Sequence, residues 1–254
     1  MSSRGEPAAG RRVVIVGATS AIAGEAARAY AESGARLFLL GRDPRRLAAV
    51  ADDLRVHGAR QVESAMLDVT DLARHEPLLE AAAAALGGLD VALVASGILP
   101  DQRLCETSVS ATLDALDVNF SSVVALLTRL ANRFETQQSG VIAVITSVAG
   151  DRGRQSNYVY GAAKGGLAVF LQGLRNRLHG SGVRVVTLKP GFVDTPMTAA
   201  IPKNPLFTSA RRAGRAMHRA IETRGDVVYI PWFWRPIMAV VNNLPEALGK
   251  RLRL

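Results

Sequence analysis

VVIVGATSAIAGEAA, residues 13–27, joins a short apolar run, a glycine and the start of an alanine-rich stretch with helical spacing. The apolar run is typical of a buried strand that ends at Gly17, and a helix is expected to begin near Ile22. Backbone N–H groups at such a helix start, with its partial positive charge, suit the pyrophosphate of a nucleotide. Thr19 and Ser20 add hydroxyl donors. The stretch therefore predicts a phosphate-binding turn.

Two alanines weaken this turn as a motif. Ala21 and Ala23 stand where a stricter dinucleotide fingerprint has glycines. A methyl group at Ala23 can fit between helix and strand, whereas one at Ala21 restricts how near a phosphate can come. The turn alone is weak evidence for a nucleotide site.

Strand-like and helix-like stretches alternate along the rest of the chain. Strands are predicted at 12–16, 35–40, 61–67, 89–95, 141–146, 183–188 and 226–230, and helices at 22–33, 44–57, 72–86, 108–134 and 158–179. This alternation predicts an α/β fold with a single doubly wound parallel sheet of about seven strands and helices on both faces. No linker or repeat divides the chain, so residues 11–254 are expected to form one domain after a flexible tail at 1–10.

The composition is that of an ordinary globular protein. Of the 254 residues, 48% are hydrophobic and 21% are charged, and the single cysteine, Cys105, suits a reducing compartment. Without a signal peptide or a run of about 20 apolar residues, the protein is expected in the cytoplasm with no spanning helix. The net charge of +9 suggests nucleic acid, but the basic residues are scattered and form no binding signature. Neither a nucleic-acid partner nor a metal site is predicted.

The residues after the second strand bear on the choice of cofactor. LLGRDPRRL, residues 39–47, has no carboxylate at position 41, where one would hold the ribose of NAD. Gly41 leaves room for a 2′-phosphate, and Arg42 supplies a cation to meet it. Asp43 before Pro44 suits the N-cap of the next helix. The stretch favours NADP, with NAD as the alternative.

The stretch SNYVYGAAKGG, residues 156–166, holds two tyrosines and a lysine. In a helix Tyr160 and Lys164 share a face, whereas Tyr158 does not. An ammonium beside a phenol lowers the pKa of the phenol, which would make Tyr160 a usable acid or base. Ser147 ends an apolar strand, where its hydroxyl would enter the same cleft, and Asn119 is an amide in an apolar setting. A chance pairing on the helix and a packing role for Asn119 stay open on these residues alone.

Taken together, these motifs resemble the short-chain dehydrogenase/reductase family from about residue 12 to residue 195. The shared stretches are GATSAIA at 17–23, LDVTD at 67–71, VASG at 94–97, Asn119, Ser147, YGAAK at 160–164 and PGFVDT at 190–195. Ala21, Ala23 and the Ala95-Ser96 pair, where Asn-Ala is usual, depart from the family pattern. The resemblance implies a Rossmann-type NAD(P)-binding domain and, as the family habit, a homodimer or homotetramer.

The resemblance also implies roles for individual residues. Tyr160 would give a proton to a ketone oxygen held by Ser147 as hydride arrives from nicotinamide. Lys164 would bind the nicotinamide ribose and lower the pKa of Tyr160, and Asn119 would support a water chain. The residues implied at the cofactor are Gly17, Thr19, Ser20, Ala21, Ile22, Arg42, Asp68, Val69, Ala95, Ser96, Gly97, Tyr160, Lys164, Pro190, Gly191, Val193 and Thr195.

Two further stretches bear on the substrate. DRGRQSN, residues 151–157, sets Arg152 and Arg154 in a loop at the rim of the cleft, where they would bind an anionic group such as a phosphodiester; solvated loop charge is the alternative. The C-terminal stretch contains both tryptophans, an apolar strip and a cationic end, as in segments that lie in a bilayer interface. Residues 232–254 are therefore expected to form a membrane-surface segment, a lid over the cleft or a subunit contact.

Within the family, three stretches resemble the reductases of decaprenylphosphoryl-2-keto-erythro-pentose: GDRGRQSNYVYGAAKGGL at 150–167, LKPGFVDTPM at 188–197 and the C-terminal segment. That resemblance implies reduction of the 2-keto group of a lipid-linked sugar, the second half of a C2 epimerisation in cell-envelope glycan synthesis. The oxidation step would belong to a partner flavoprotein oxidase, and the protein would act at the inner face of the membrane. A soluble ketoreductase of another small or acyl substrate and a non-catalytic NAD(P)-binding protein remain the alternatives.

Overall fold

A computed structural model describes residues 10–223 and 225–250 of the chain. The tail expected at residues 1–10 therefore lies outside the described residues except for Gly10. The cationic end at Arg251 and Arg253 lies outside them as well.

Seven parallel strands form one sheet. They are β1 Arg12–Val16, β2 Arg36–Gly41, β3 Gln61–Met66, β4 Val91–Val94, β5 Gly140–Ile145, β6 Val183–Pro190 and β9 Val227–Ile230, and a separate short pair is formed by β7 Val193–Asp194 and β8 Thr208–Ser209. The order in the sheet is β3-β2-β1-β4-β5-β6-β9. All seven predicted strands are confirmed, each within two residues. The chain moves outward from β1 to β3 and then returns to β4 beside β1. Ligands bind at this reversal in doubly wound sheets, beyond the carboxyl ends of the strands.

Helices cover both faces of the sheet. They are α1 Ala21–Glu32, α2 Pro44–Val56, α3 His75–Leu86, α4 Gln102–Thr107, α5 Val109–Leu116, α6 Ser122–Gln137, α7 Tyr158–Leu178, α8 Ala210–Glu222, α9 Trp234–Asn242 and α10 Glu246–Gly249. Alternate residues of β1 point to opposite faces, as a pleated strand requires. Val13 and Ile15 join a core with α1, α2 and α8, whereas Val14 and Val16 join a core with α3, α6 and α7. The predicted doubly wound architecture is therefore confirmed.

A π-helical segment, Asp117–Ser121, joins α5 to α6 without a break. The resulting helix, residues 109–137, has the length and composition of a membrane span, although the chain has no run of about 20 apolar residues. Polar residues such as Asp117 and Asn119 interrupt its apolar run but leave its mean hydropathy high. Leu126, Leu130 and Phe134 are fully buried against the sheet, so the helix is part of the domain core.

Candidate active site

One cleft of about 380 Å³ opens at the carboxyl ends of the strands. Every residue predicted at the cofactor lines it, from Gly17 in the first turn to Thr195 after β7. Ser147, Tyr160, Lys164 and Arg154 line the same cleft. The lining of the cleft runs from the end of β3 to the end of β6, which lie five strand intervals, or about 24 Å, apart. This length suits an elongated ligand such as a dinucleotide.

The first turn uses the N–H groups of Gly17, Ala18 and Ser20 internally, so the N–H groups of Ala21 and Ile22 at the start of α1 are the ones available to an anion. Gly17 has φ +82°, and a Cβ there would lie 2.7 Å from the backbone nitrogen of Ser96, so the turn requires glycine. Ser20 is the N-cap of α1, yet within the described chain its side chain makes no capping hydrogen bond. Ala23 is fully buried in the core, as the sequence predicted for a methyl group between helix and strand. The residues present thus fit a nucleotide phosphate.

Two arginines stand at the β2 end of the cleft. Arg42 and Arg46 both line it, and neither forms an ion pair within the described part of the chain. Asp43 caps α2 by accepting hydrogen bonds from the backbone N–H groups of Arg45 and Arg46, at 2.9 and 3.1 Å, as predicted. The cap turns Arg46 toward the first turn, where its guanidinium donates to the Thr19 carbonyl oxygen at 3.0 Å.

Asp68 lies after β3, beside these arginines. Its Oδ1 accepts hydrogen bonds from the N–H and the hydroxyl of Thr70, at 3.0 and 2.8 Å. These bonds, with the positive charge of Arg42, lower the pKa of Asp68. Asp68 is therefore an ionised acceptor at the edge of the cleft.

Tyr160 and Lys164 lie one helical turn apart on α7, as predicted. The Nζ atom of Lys164 is 5.7 Å from the centroid of the Tyr160 ring and donates a hydrogen bond to the Ile145 carbonyl oxygen at 3.3 Å. Ser147 follows β5 immediately, and its Oγ accepts a hydrogen bond from the Ala149 N–H at 3.1 Å. The Ser147 hydroxyl also keeps a proton, which the neighbouring Tyr160 oxygen or a ligand oxygen can accept.

The protonation of this group differs from the sequence expectation. Burial raises the pKa of Tyr160 to about 12, and the Ser147 hydroxyl opposes part of the rise. Burial also lowers the pKa of Lys164 to about 8. The expected lowering of the Tyr160 pKa by Lys164 is not seen, because desolvation is the largest cause and Lys164 is not among the groups that shift this pKa. Tyr160 holds its proton at neutral pH.

Asn119 sits behind the cleft on the π-helical segment rather than in its wall. Its Oδ1 accepts a hydrogen bond from the Ile98 N–H at 3.0 Å, and its Nδ2 donates to the Ala115 carbonyl oxygen at 2.9 Å. The amide thus ties the helix to the loop after β4. Segments of π-helix are frequent at functional sites, where the extra residue redirects a side chain. We describe Asn119 as a positioning residue, and its link to a water chain remains a prediction.

The loop after β4 carries the Ala95-Ser96 departure. The Ser96 Oγ is buried and has no hydrogen-bond partner within the described chain, although it lines the cleft. A buried hydroxyl without a partner calls for a ligand or water. The Ser96 hydroxyl lies where the cofactor is expected, so a polar atom of the cofactor would supply the missing hydrogen-bond partner.

The structure separates the two loop arginines that the sequence paired. Arg152 does not line the cleft. Its guanidinium donates to the carbonyl oxygens of Val241 and Leu244, at 2.9 and 2.7 Å, and pairs with Glu246. The prediction of Arg152 at the substrate is therefore wrong, because these carbonyl groups at the end of α9 satisfy it. Arg154, in contrast, lines the cleft.

Sequence reasoning missed Arg46 and Asn157 in the cleft wall. Arg46 lies four residues after Arg42, and this spacing across a capped helix start was the available signal. Asn157 immediately precedes α7, and its Oδ1 is buried without a partner in the described chain. Nothing in the sequence distinguished Asn157 from an ordinary N-cap.

The fold and the cleft together define a nucleotide-binding α/β oxidoreductase site. The short chain dehydrogenase family matches residues 11–206, so the chain belongs to this family and is an NAD(P)-dependent oxidoreductase. It is 40% identical over 240 residues to an uncharacterized oxidoreductase of Mycobacterium tuberculosis, covering 94% of this chain and 96% of that one. It is 32% identical over 245 residues to an uncharacterized oxidoreductase of Streptomyces coelicolor, covering 95% and 96%.

A solved structure with a similar fold is an alcohol dehydrogenase from the archaeon Thermococcus sibiricus, complexed with 5-hydroxy-NADP. The TM-score is 0.76, the identity is 23%, and the match covers 86% of this chain and 95% of that one. At this identity the likeness shows the fold alone.

Proposed function

We propose that the protein reduces a ketone to a secondary alcohol with NADPH. The observation that carries the proposal is the half-buried phenol of Tyr160, which keeps its proton and lies beside Ser147 and Lys164. A phenol with a pKa of about 12 keeps its proton at neutral pH, and an alkoxide that forms beside it is the stronger base and takes that proton. Oxidation of an alcohol would instead need a phenolate, which this environment disfavours.

Three side chains of the cleft have separate roles in the proposed reduction. A bound nicotinamide nucleotide supplies the hydride. Ser147 donates a hydrogen bond to the ketone oxygen, and Tyr160 gives that oxygen its proton as negative charge develops. With a pKa of about 8, Lys164 is mostly ammonium at pH 7 and stabilises the phenolate that Tyr160 leaves behind.

The choice of NADPH is supported by Arg42 and Arg46. Two guanidiniums without ion pairs in the described chain stand where a 2′-phosphate would lie. The 5-hydroxy-NADP bound to the Thermococcus sibiricus alcohol dehydrogenase supports the same choice.

A turnover screen tests the proposal. The full chain is assayed with NADPH and NADH against simple ketones, acyl ketones and oxidised polyprenyl-phospho-pentoses, with cofactor binding measured in parallel. We expect NADPH oxidation with at least one ketone. Tight NADPH binding without oxidation by any ketone would support a non-catalytic NAD(P)-binding protein instead.

A second, finer candidate is the 2-keto group of a polyprenyl-phospho-pentose, reduced at the inner face of the membrane after a partner flavoprotein oxidase has formed it. The supporting observation is a row of aromatic rings that runs from the cleft wall to the surface. Phe192 lines the cleft and lies 5.5 Å from Trp234, which is 6.1 Å from Phe233, which is 6.4 Å from Trp232, centroid to centroid.

The end of this aromatic row is exposed in a way that suits a lipid surface. Trp232 is 77% exposed, and Val240 and Leu248 are also exposed on the same segment, with Arg235 among them. An exposed tryptophan with apolar and cationic neighbours is typical of interfacial segments. A soluble ketoreductase would use the same segment as a lid.

Self-association belongs to the same proposal. Val109 and Leu113 on α5 and Val169 on α7 are large apolar side chains that remain exposed in the single chain. Exposed apolar faces of this kind favour an interface between copies. We expect a homodimer or homotetramer, and light scattering of the purified chain would reveal a monomer if this is wrong.

A further inference from the structure

We infer that Arg154 binds an oxyanion of the substrate, a phosphate ester or a carboxylate, and thereby selects anionic ketones. This inference rests on the proposed ketone reduction and names the class of ketone. It differs from the sequence expectation, in which two arginines shared the task.

The position of Arg154 places it at the reacting end of the cleft. It lies between Ser147 and Tyr160 in sequence, and its carbonyl oxygen accepts a hydrogen bond from the N–H of Asn157, the residue that precedes α7. Tyr160 lies in the first turn of that helix. Arg42 and Arg46 follow β2, which is separated from β5 by β1 and β4. Arg154 is therefore distant from the arginines that suit the cofactor phosphate.

The one charge of its own loop that acts on Arg154 in the described chain is that of Asp151, which lies beyond ion-pair distance. The Arg154 Nε is buried and without a hydrogen-bond partner, and Arg154 forms no ion pair within residues 10–223 and 225–250. Burial lowers the pKa of its guanidinium, and the charge of Asp151 opposes this only in part. An Arg side chain nevertheless stays charged in proteins. The wall of the cleft thus holds a partly desolvated cation without an ion pair in the described chain.

The nearest carboxylate in sequence is already engaged. Asp151 Oδ1 pairs with the Lys189 ammonium, and its Oδ2 accepts a hydrogen bond from the Tyr229 hydroxyl at 2.8 Å. Arg152, two residues before Arg154, is satisfied by the end of α9. Every other charged side chain of this loop therefore has a partner, and Arg154 is the exception.

The chemistry of the unpaired group defines the ligand. A partly desolvated charge is costly unless it is paired, so an anion that binds beside Arg154 would lower that cost. A guanidinium binds the paired oxygens of a phosphate or carboxylate through two parallel hydrogen bonds. The unpaired Asn157 Oδ1 in the same wall would accept a hydrogen bond from a hydroxyl group. A hydroxyketone with an anionic group matches both partners.

A matched pair of ketones tests the inference. Dihydroxyacetone phosphate and dihydroxyacetone differ only in the phosphate, and each is assayed with wild type, Arg154→Gln and Arg154→Lys of the full chain. We expect wild type to prefer the phosphate, and Arg154→Gln to lower kcat/KM for it by roughly 10- to 100-fold, mainly through KM. Arg154→Lys should recover part of the lost kcat/KM, because a lysine restores the positive charge but not the two parallel hydrogen bonds of a guanidinium.

Controls separate this effect from folding and from the source of the anion. Arg103→Gln alters an exposed arginine on α4 outside the cleft and should keep the wild-type preference. Thermal unfolding verifies that each variant is folded. A 2-oxopropyl hexadecyl phosphodiester in detergent micelles and methyl levulinate against levulinate then distinguish a lipid headgroup, a free phosphate and a carboxylate.

Binding to the NADP⁺-loaded protein, measured by titration calorimetry with the same probes, distinguishes the two ideas. Arg154-dependent binding of an anionic probe without any turnover would overturn ketone reduction and keep the anion site. Turnover with equal preference in wild type and Arg154→Gln would overturn the anion site and keep ketone reduction. Failure of every anionic probe to bind in an Arg154-dependent way would also overturn the anion site.

Discussion

Lys164 lies one turn after Tyr160 on α7, with its Nζ 5.7 Å from the centroid of the phenol ring and hydrogen-bonded to the Ile145 carbonyl oxygen. Both side chains are desolvated, and each therefore favours its neutral form more than it would in water. The Tyr160 phenol carries the proton that it would donate, and the Lys164 amine titrates near physiological pH. This arrangement suits a reductase and has measurable consequences.

Tyr160→Phe should abolish turnover and leave NADPH binding nearly unchanged, because only the donated proton is lost. General acid catalysis contributes typically 10²- to 10⁴-fold, and a decrease of that size in kcat is expected. Steady-state kinetics and fluorescence titration with NADPH measure the two effects. Tyr158→Phe, which changes an exposed tyrosine of the same helix, is the matched control. Activity within a few-fold of wild type in Tyr160→Phe would contradict the assignment.

Lys164→Met should change how stability depends on pH. The pKa of Lys164 is about 8 in the folded protein and 10.5 ordinarily, so the unfolded chain binds more protons between these values. Stability of wild type should therefore rise with pH across this window, and Lys164→Met should lack the rise. The free energy of unfolding of wild type relative to the variant should increase by about 3 kcal/mol from pH 7 to pH 10.5.

Denaturant unfolding at several pH values measures this difference. Tyr160 titrates in both proteins, so its contribution largely cancels in the comparison. A constant difference between wild type and Lys164→Met would mean that the lysine has its ordinary pKa in the fold.

Arg42→Ala and Arg46→Ala should each weaken NADPH more than NADH. A hydrogen bond to a charged group is worth about 1.5–3 kcal/mol, so each loss should raise KM for NADPH by roughly 10- to 100-fold. Arg45→Ala is the control, because Arg45 is exposed between them and does not line the cleft. Equal losses with both cofactors would remove the 2′-phosphate role.

The sequence predicted the fold and most of the cleft because both depend on local patterns. Apolar runs set the strands, and Gly17, Tyr160 and Lys164 stand at spacings that act within one turn or one helix. Arg152 and Arg154 are two residues apart and equally charged, so only the tertiary position of α9 separates them. The predicted direction of the Tyr160 pKa shift failed for a similar reason. Desolvation depends on all the atoms that surround the phenol and not on the lysine one turn away.

Asn119 was predicted only in part. Its place in a long helix was predicted, but the π-helical segment that turns it toward the Ile98 N–H was not. A π-bulge inserts one residue into a helix without changing the hydrophobic pattern in an obvious way. Sequence periodicity therefore could not show which backbone groups the amide would meet.

Gly97→Ala should impair catalysis through Asn119 and Lys164. A Cβ at Gly97 would lie 2.8 Å from the Asn119 Oδ1 and 3.2 Å from the Lys164 Nζ, so both side chains must move. We expect kcat to fall by at least about 10-fold, in line with the sensitivity of catalysis to small displacements. Gly173→Ala is the control, since nothing lies within 4 Å of its Cβ position on α7, and the added helix propensity should stabilise the protein by about 1 kcal/mol. Unchanged kcat in Gly97→Ala would show that the pair tolerates displacement.

Trp232 should report directly on a lipid surface. The chain has two tryptophans, and Trp234 is only 4% exposed whereas Trp232 is 77% exposed. Entry of Trp232 into an interface should shift the emission of the protein to shorter wavelength, because its environment becomes less polar. The shift should be larger with vesicles that contain phosphatidylglycerol than with phosphatidylcholine alone, since the net charge of +9 favours an anionic surface.

Trp232→Ala should then reduce vesicle binding about 10-fold in a sedimentation assay, which is the effect expected for losing one large buried side chain. Val56→Ala, at an exposed apolar residue on α2, is the control and should bind like wild type. If the segment is instead a lid, Trp232→Ala should leave vesicle sedimentation unchanged and alter KM for the ketone. Vesicle sedimentation changes if the segment lies on a membrane surface, and KM for the ketone changes if it is a lid. A lid contacts substrate within the cleft, whereas a membrane-surface segment contacts lipid outside it.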